Sequence, residues 1–124
     1  MLKKIHALEK KRQKILDEVL STKKMVWGSF CLIHVKCGNP NCRCAKGELH
    51  PHHRMSWREK GRGISRAVPK EEYAWIEEMT ENYKKVRELR RTLNTLNEEM
   101  NTLLDQLDEH TVKKTRKGRA YLEV

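Results

Sequence analysis

A chain of 124 residues has room for one domain with extensions and little for a second independent core. Hydrophobic residues make up 37% and charged residues 35%, with a mean hydropathy of -0.87, so apolar side chains must be gathered into stripes and a large globular core is excluded. The net charge of +10 and isoelectric point near 9.6 make polyanions the expected partners, nucleic acid ahead of anionic membrane.

Residues 1–22 place Ile5, Leu8, Ile15 and Val19 at helical spacing, with Leu16 and Leu20 on the flank, Arg12 interrupting the stripe and lysines filling the other positions. Such a one-sided helix is not stable alone in water and needs a partner. The opening MLKKIHALEKKRQK lacks the apolar core of a signal peptide, and no stretch approaches the roughly 18–20 apolar residues of a membrane span. A cytoplasmic protein without membrane partners is expected.

From Met25 the character changes. MVWGSFCLIHVKC is rich in β-branched and aromatic residues, which predicts a strand of roughly ten residues, partly covered on both faces, that ends at a cysteine loop. After the loop, His53, Met55 and Trp57 alternate with His52, Arg54, Ser56 and Arg58, the period of a second strand. The turn Lys60-Gly61-Arg62-Gly63, with both glycines able to take positive φ, leads into Ile64–Pro69 and makes a hairpin. Residues 25–69 therefore read as a three-stranded antiparallel sheet carrying the loop between its first two strands.

Pro69 followed by Lys70-Glu71-Glu72 opens a helix, since proline suits the entrance to a first turn and acidic residues its positive end. Over residues 70–109, apolar side chains from Ile76 to Leu107 step by three and four, close to a coiled-coil heptad with one skip between Val86 and Leu89. At about 1.5 Å per residue this helix spans on the order of 55 Å. Part of its stripe is expected to meet the N-terminal helix and part another molecule, with a homodimer as the first expectation. Residues 110–124 carry Lys113, Lys114, Arg116 and Lys117 with little apolar content, and a flexible basic tail is expected. The fold class is α+β: N-terminal helix, three-stranded sheet, long coiled-coil-like C-terminal helix.

Chemistry concentrates between Cys37 and His50. Structural zinc takes four soft or borderline ligands in a tetrahedron, and Cys37-Gly-Asn-Pro-Asn-Cys42-Arg-Cys44 offers three thiolates from one tight loop. Gly38 and Pro40 shape the turn; Lys36, Arg43 and Lys46 offset the thiolate charge. His50 is the nearest candidate for the fourth ligand, ahead of His52, His53 and Cys31, the last of which reads as a buried thiol within the first strand. Structural Zn2+ is the expected cofactor. No Gly-rich phosphate loop, G-x-S-x-G or compelling carboxylate pair is present in the sequence, so binding rather than catalysis is expected.

Gly28-Ser29, the cysteine run just quoted, the following histidine, Trp57, Ser65-Arg66 with Val68-Pro69, and Asn82-Tyr83 leading into a leucine-rich helix together resemble a family of small uncharacterised bacterial and archaeal domains. The resemblance covers roughly Gly28 to Leu107. Family members continue His-Gly-Pro-Tyr after the loop where this chain has His50-Pro-His-His. The resemblance implies that His50 is a ligand and that the setting is a mobile element or phage-like DNA, with no assigned activity. In element order the chain is also similar to the arm-type DNA-binding domains of tyrosine recombinases.

Two functions follow. In one, Arg54, Arg58, Lys60, Arg62 and Arg66 of the hairpin read nucleic acid, DNA being expected, while Lys113, Lys114, Arg116 and Lys117 track phosphates. The protein would then be an accessory or regulatory factor of a mobile element or phage. In the other, the long helix docks an adaptor or inhibitor on a larger nucleic-acid enzyme.

Overall fold

The computed structural model describes every residue except Lys36, Cys37 and Glu48, and every side chain of the rest except those of Val35, Cys44 and Ala45. The fold is α+β: α1 (Leu2–Ser21), β1 (Ser29–Val35), β2 (His50–Glu59), β3 (Arg62–Ala67) and α2 (Tyr73–Arg116). The strands form one antiparallel sheet in the order β1-β2-β3. Two compact units emerge, Lys23–Lys85 and the pair of segments Met1–Thr22 with Val86–Val124.

In the sheet unit, side chains alternate across the pleat. Ser29 opposite Ser56, Cys31 opposite Arg54 and Ile33 opposite His52 place these residues on one face; Phe30 opposite Met55 and Leu32 opposite His53 place theirs on the other. The Met55 face meets the start of α2. Met55, Ile76 and Met79 are buried there, and Phe30, His53 and Tyr73 form an aromatic cluster with centroids 4.2 to 5.8 Å apart. Thr80, the buried polar residue of this layer, hydrogen-bonds back to Ile76 O and Glu77 O of its own helix, so its hydroxyl is not left unsatisfied.

β1 starts four residues later than the composition predicts. Val26 N donates to Met79 O and the Asn82 side chain donates to Lys24 O at 3.0 Å, so the chain before Gly28 is bound to α2 instead of to β2. Gly28 makes the change of direction at φ +122°. A Cβ there would lie 2.5 Å from Ser56 O and 2.7 Å from Met55 Cε, so no side chain fits.

The β2–β3 hairpin closes with a two-residue turn in which Lys60 (φ 49°) and Gly61 (φ 78°) both take positive φ. That is the backbone of a type I′ turn, which matches strand twist. Gly63, expected to share in the turn, instead sits within β3 opposite Arg58.

In the helical unit, α1 turns Ile5, Leu8, Ile15, Leu16 and Val19 inward, all half-buried, and Val86 and Leu96 of α2 are fully buried. Arg12 is tolerated in the stripe because its guanidinium makes a two-pronged bond with Glu9, at 2.8 and 2.9 Å. The same pairing holds the Glu9 carboxyl below its ordinary range, through the hydrogen bond to Arg12. Leu89, Leu93, Met100, Leu103 and Leu107 are half-buried along α2. The heptad skip at Val86 falls where α2 stops covering the sheet and enters the unit that contains α1. A helix whose partner changes has no reason to keep one seam.

The chain end differs from the expected flexible tail. α2 runs to Arg116, and a turn through Gly118 (φ 83°) leads to a short 3-10 segment, Ala120–Leu122. Lys113, Lys114 and Arg116 occupy the last turn of α2, where basic side chains complement the helix dipole, and Glu123 accepts from Gly118 N at 3.0 Å.

Candidate metal centre and nucleic-acid interface

The loop between β1 and β2 is shaped by its own short-range bonds. The Asn39 side chain accepts from Asn41 N at 3.0 Å and Asn39 O accepts from Cys42 N at 3.1 Å, and the chain then forms a 3-10 turn over Arg43–Lys46. This brings Cys42 Sγ to 2.9 Å from His50 Nε2, at the first residue of β2. A zinc ion bonded to both, at about 2.3 Å from sulfur and 2.0–2.1 Å from nitrogen, separates the two atoms by roughly 3.5 Å, so a displacement of about 0.6 Å admits it. Cys44 lies in the 3-10 turn two residues beyond Cys42. The structure of Cys37 and the side chain of Cys44 lie outside what is described, and among the described residues no group of three or more metal-ligating side chains is assembled.

The other candidates for a fourth ligand sit elsewhere on the sheet. His53 is on the opposite face from His50 and is engaged with Phe30 and Tyr73. Cys31 shares the face of His50, but it pairs with Arg54, four residues along β2, roughly 13 Å away at the rise of a strand. It is also exposed, contrary to the buried thiol expected, because α2 covers only the Met55 face. His52 is exposed, two residues from His50 on the same face.

The five basic hairpin residues do not form one surface. Arg54 and Arg58 lie on the face that α2 leaves open, beside Ser29, Ser56 and Ser65. Arg54 Nε donates to Ser65 Oγ at 2.8 Å, which fixes that guanidinium on the sheet, whereas Arg58 stands opposite Gly63 with no side chain across from it. Among the described residues this face carries no carboxylate. Arg62 and Arg66 pair with Glu59 and Met55 and belong to the other face; Lys60 occupies the turn. In the helical unit, Lys113 pairs with Glu109 at 3.2 Å.

Two features were not read from the sequence. Asn82 holds Lys24 O, a bond between residues far apart in the chain that no local pattern announces. Trp27, Trp57 and Trp75 come together around one cavity, and three tryptophans in a 124-residue chain are the sequence signal that points to it. No described helix is long and apolar enough to cross a membrane.

Neither the curated proteins nor the solved structures include a match to this chain. Residues 5–78, which span most of α1, the whole sheet and the entrance of α2, match the family described as Domain of unknown function (DUF6788), and the chain belongs to that family.

Proposed function

We propose that the protein is a zinc-stabilised nucleic-acid-binding module, with duplex DNA as its target, acting by binding as an accessory or regulatory factor of a mobile element or phage. The observation that carries this reading is the open face of the sheet. It presents Arg54 and Arg58 among serines, without a carboxylate among its described residues. A twisted antiparallel ribbon fits the major groove, and arginine pairs with guanine edges. Lys60 supports it: a lysine holds a positive-φ turn position where Asn would be less strained, and strain of this kind clusters at functional positions.

Zinc held by Cys37, Cys42, Cys44 and His50 anchors the β1–β2 connection of a sheet too small to stabilise itself. The 2.9 Å approach of Cys42 to His50 supports that set. Elemental analysis tests it: stoichiometric zinc in the native protein, lost in Cys42→Ser and His50→Ala, is the expected result. Full zinc retention by His50→Ala moves the fourth ligand elsewhere.

Binding is tested by titrating duplex DNA at increasing salt. A steep negative log-log slope is expected, and replacing Arg58 by Ala should weaken binding by about 1–3 kcal/mol and relax the sequence preference at the base it reads. Absence of binding at low salt removes the reading.

The second reading is an adaptor that docks on a larger nucleic-acid enzyme or pairs with another copy through α2. Leu104 and Val112 favour it, exposed at 39% and 48%. A dimer mass by light scattering, reverting to monomer when both are changed to Glu, supports pairing; a monomer at all concentrations removes it.

A further inference from the structure

We propose that the cavity framed by the three tryptophans holds an unpaired nucleobase, so that the protein engages single-stranded as well as duplex nucleic acid. This rests on the nucleic-acid reading but uses a different part of the sheet unit. Trp27 lies before β1, Trp57 on β2 and Trp75 on α2, and all three line a cavity of about 810 Å3. That volume is within the roughly 300–1,000 Å3 typical of small-molecule sites.

The indoles are not explained as core. The fully buried side chains beside them are Met55, Ile76 and Met79, whereas Trp27 and Trp75 remain 56% and 48% exposed. Trp57 is fixed in orientation by donating its indole N–H to Glu59 at 2.8 Å. Flat aromatic surfaces left open to solvent suit a flat ligand, and every base has a π-face to stack on an indole.

The polar groups in the wall select the kind of ligand. Arg66 offers a guanidinium for a phosphate or for stacking, and Arg62 lies on the same sheet face. Two carboxylates also line the cavity: Glu59, which accepts from the Trp57 indole, and Glu72, which presents an acceptor. A carboxylate accepts hydrogen bonds from the exocyclic amino group of adenine, cytosine or guanine; thymine has none and flanks its one N–H with carbonyl oxygens. An amino-bearing base in a flexible strand therefore fits indoles, guanidinium and carboxylate together.

Labelled oligonucleotides of equal length, oligo-dA, oligo-dT and a random duplex, are titrated against the full protein by fluorescence anisotropy. Oligo-dA is expected to bind more tightly than oligo-dT. Trp75→Ala is expected to weaken oligo-dA binding about tenfold or more while leaving duplex binding unchanged. Glu72→Gln tests the selectivity with an exposed, conservative change and is expected to narrow the gap between oligo-dA and oligo-dT. Circular dichroism confirms that each variant is folded. If duplex binding persists and neither substitution alters single-strand affinity or selectivity, the cavity proposal is overturned and the open-face reading stands. If neither form of DNA binds, both fall. Loss of a co-purifying polypeptide from Trp75→Ala, with single-strand affinity unchanged, also overturns the proposal.

Discussion

Replacing Gly28 with Ala is the most discriminating test of the sheet unit. The new Cβ would stand 2.5 Å from Ser56 O, 2.7 Å from Met55 Cε and 3.1 Å from Trp57 Cβ. Met55 Cε is the end of a flexible side chain and can move, but Ser56 O is backbone in the middle of β2 and cannot. A non-glycine residue at φ +122° adds strain of about 1–3 kcal/mol, and overpacking against fixed atoms about 1–3 kcal/mol more. The expected loss is therefore roughly 2–6 kcal/mol, a large part of the ~5–15 kcal/mol that holds a typical domain. Urea unfolding followed by tryptophan fluorescence reads it directly, because all three tryptophans lie within Lys23–Lys85. With an m-value of about 1–1.5 kcal/mol/M, a loss of ~3 kcal/mol lowers the midpoint by about 2–3 M. Gly63→Ala is the control, since nothing lies within 4 Å of its Cβ position, and its midpoint should stay or rise. Equal midpoints for Gly28→Ala and the native protein would refute the close approach of the chain to Ser56.

Further outcomes follow from single contacts. Lys60→Asn relieves the left-handed turn position and should raise stability by about 0.5–1 kcal/mol while weakening DNA binding; a stability gain with unchanged binding removes Lys60 from the interface. Asn82→Ala removes the bond to Lys24 O and should cost about 1 kcal/mol by urea titration, with faster amide exchange at Val26 as the local signature. Glu9 should titrate below the ordinary glutamate range by carboxyl NMR and return to it in Arg12→Met. Because its folded pKa is depressed, whatever the pair contributes is present at neutral pH and is lost as pH falls through that lowered value.

How far the fold was legible depends on the range of the interaction concerned. Period-two alternation assigned Met55 and Trp57 to one face and Arg54 and Arg58 to the other, because the pleat is a property of adjacent peptides. The entrance of α2 was legible from Pro69 and the glutamates after it, and the short 3-10 turn Lys70–Glu72 leads into the helix there. Where Arg62 and Arg66 fall depends on register, which no single strand shows: Glu59 opposite Arg62 sends Arg62 and Arg66 to the face of Trp57. Extending α2 past residue 109 was not foreseen, since the last turns lack an apolar stripe and are supported by the helix dipole and the Glu109–Lys113 pair.

The sequence by itself determined the elements, their order and the pair of sheet faces, since propensity, turn chemistry and periodicity act over a few residues. The cysteine spacing likewise made Cys42 and His50 candidates before any contact was known. Only the tertiary structure decided that Cys31 is exposed, that Asn82 ties down Lys24, and that Gly28 admits no side chain. It also decided that Trp27, Trp57 and Trp75 share one cavity. Each of these is set by packing between distant segments and is written in no single stretch of the chain.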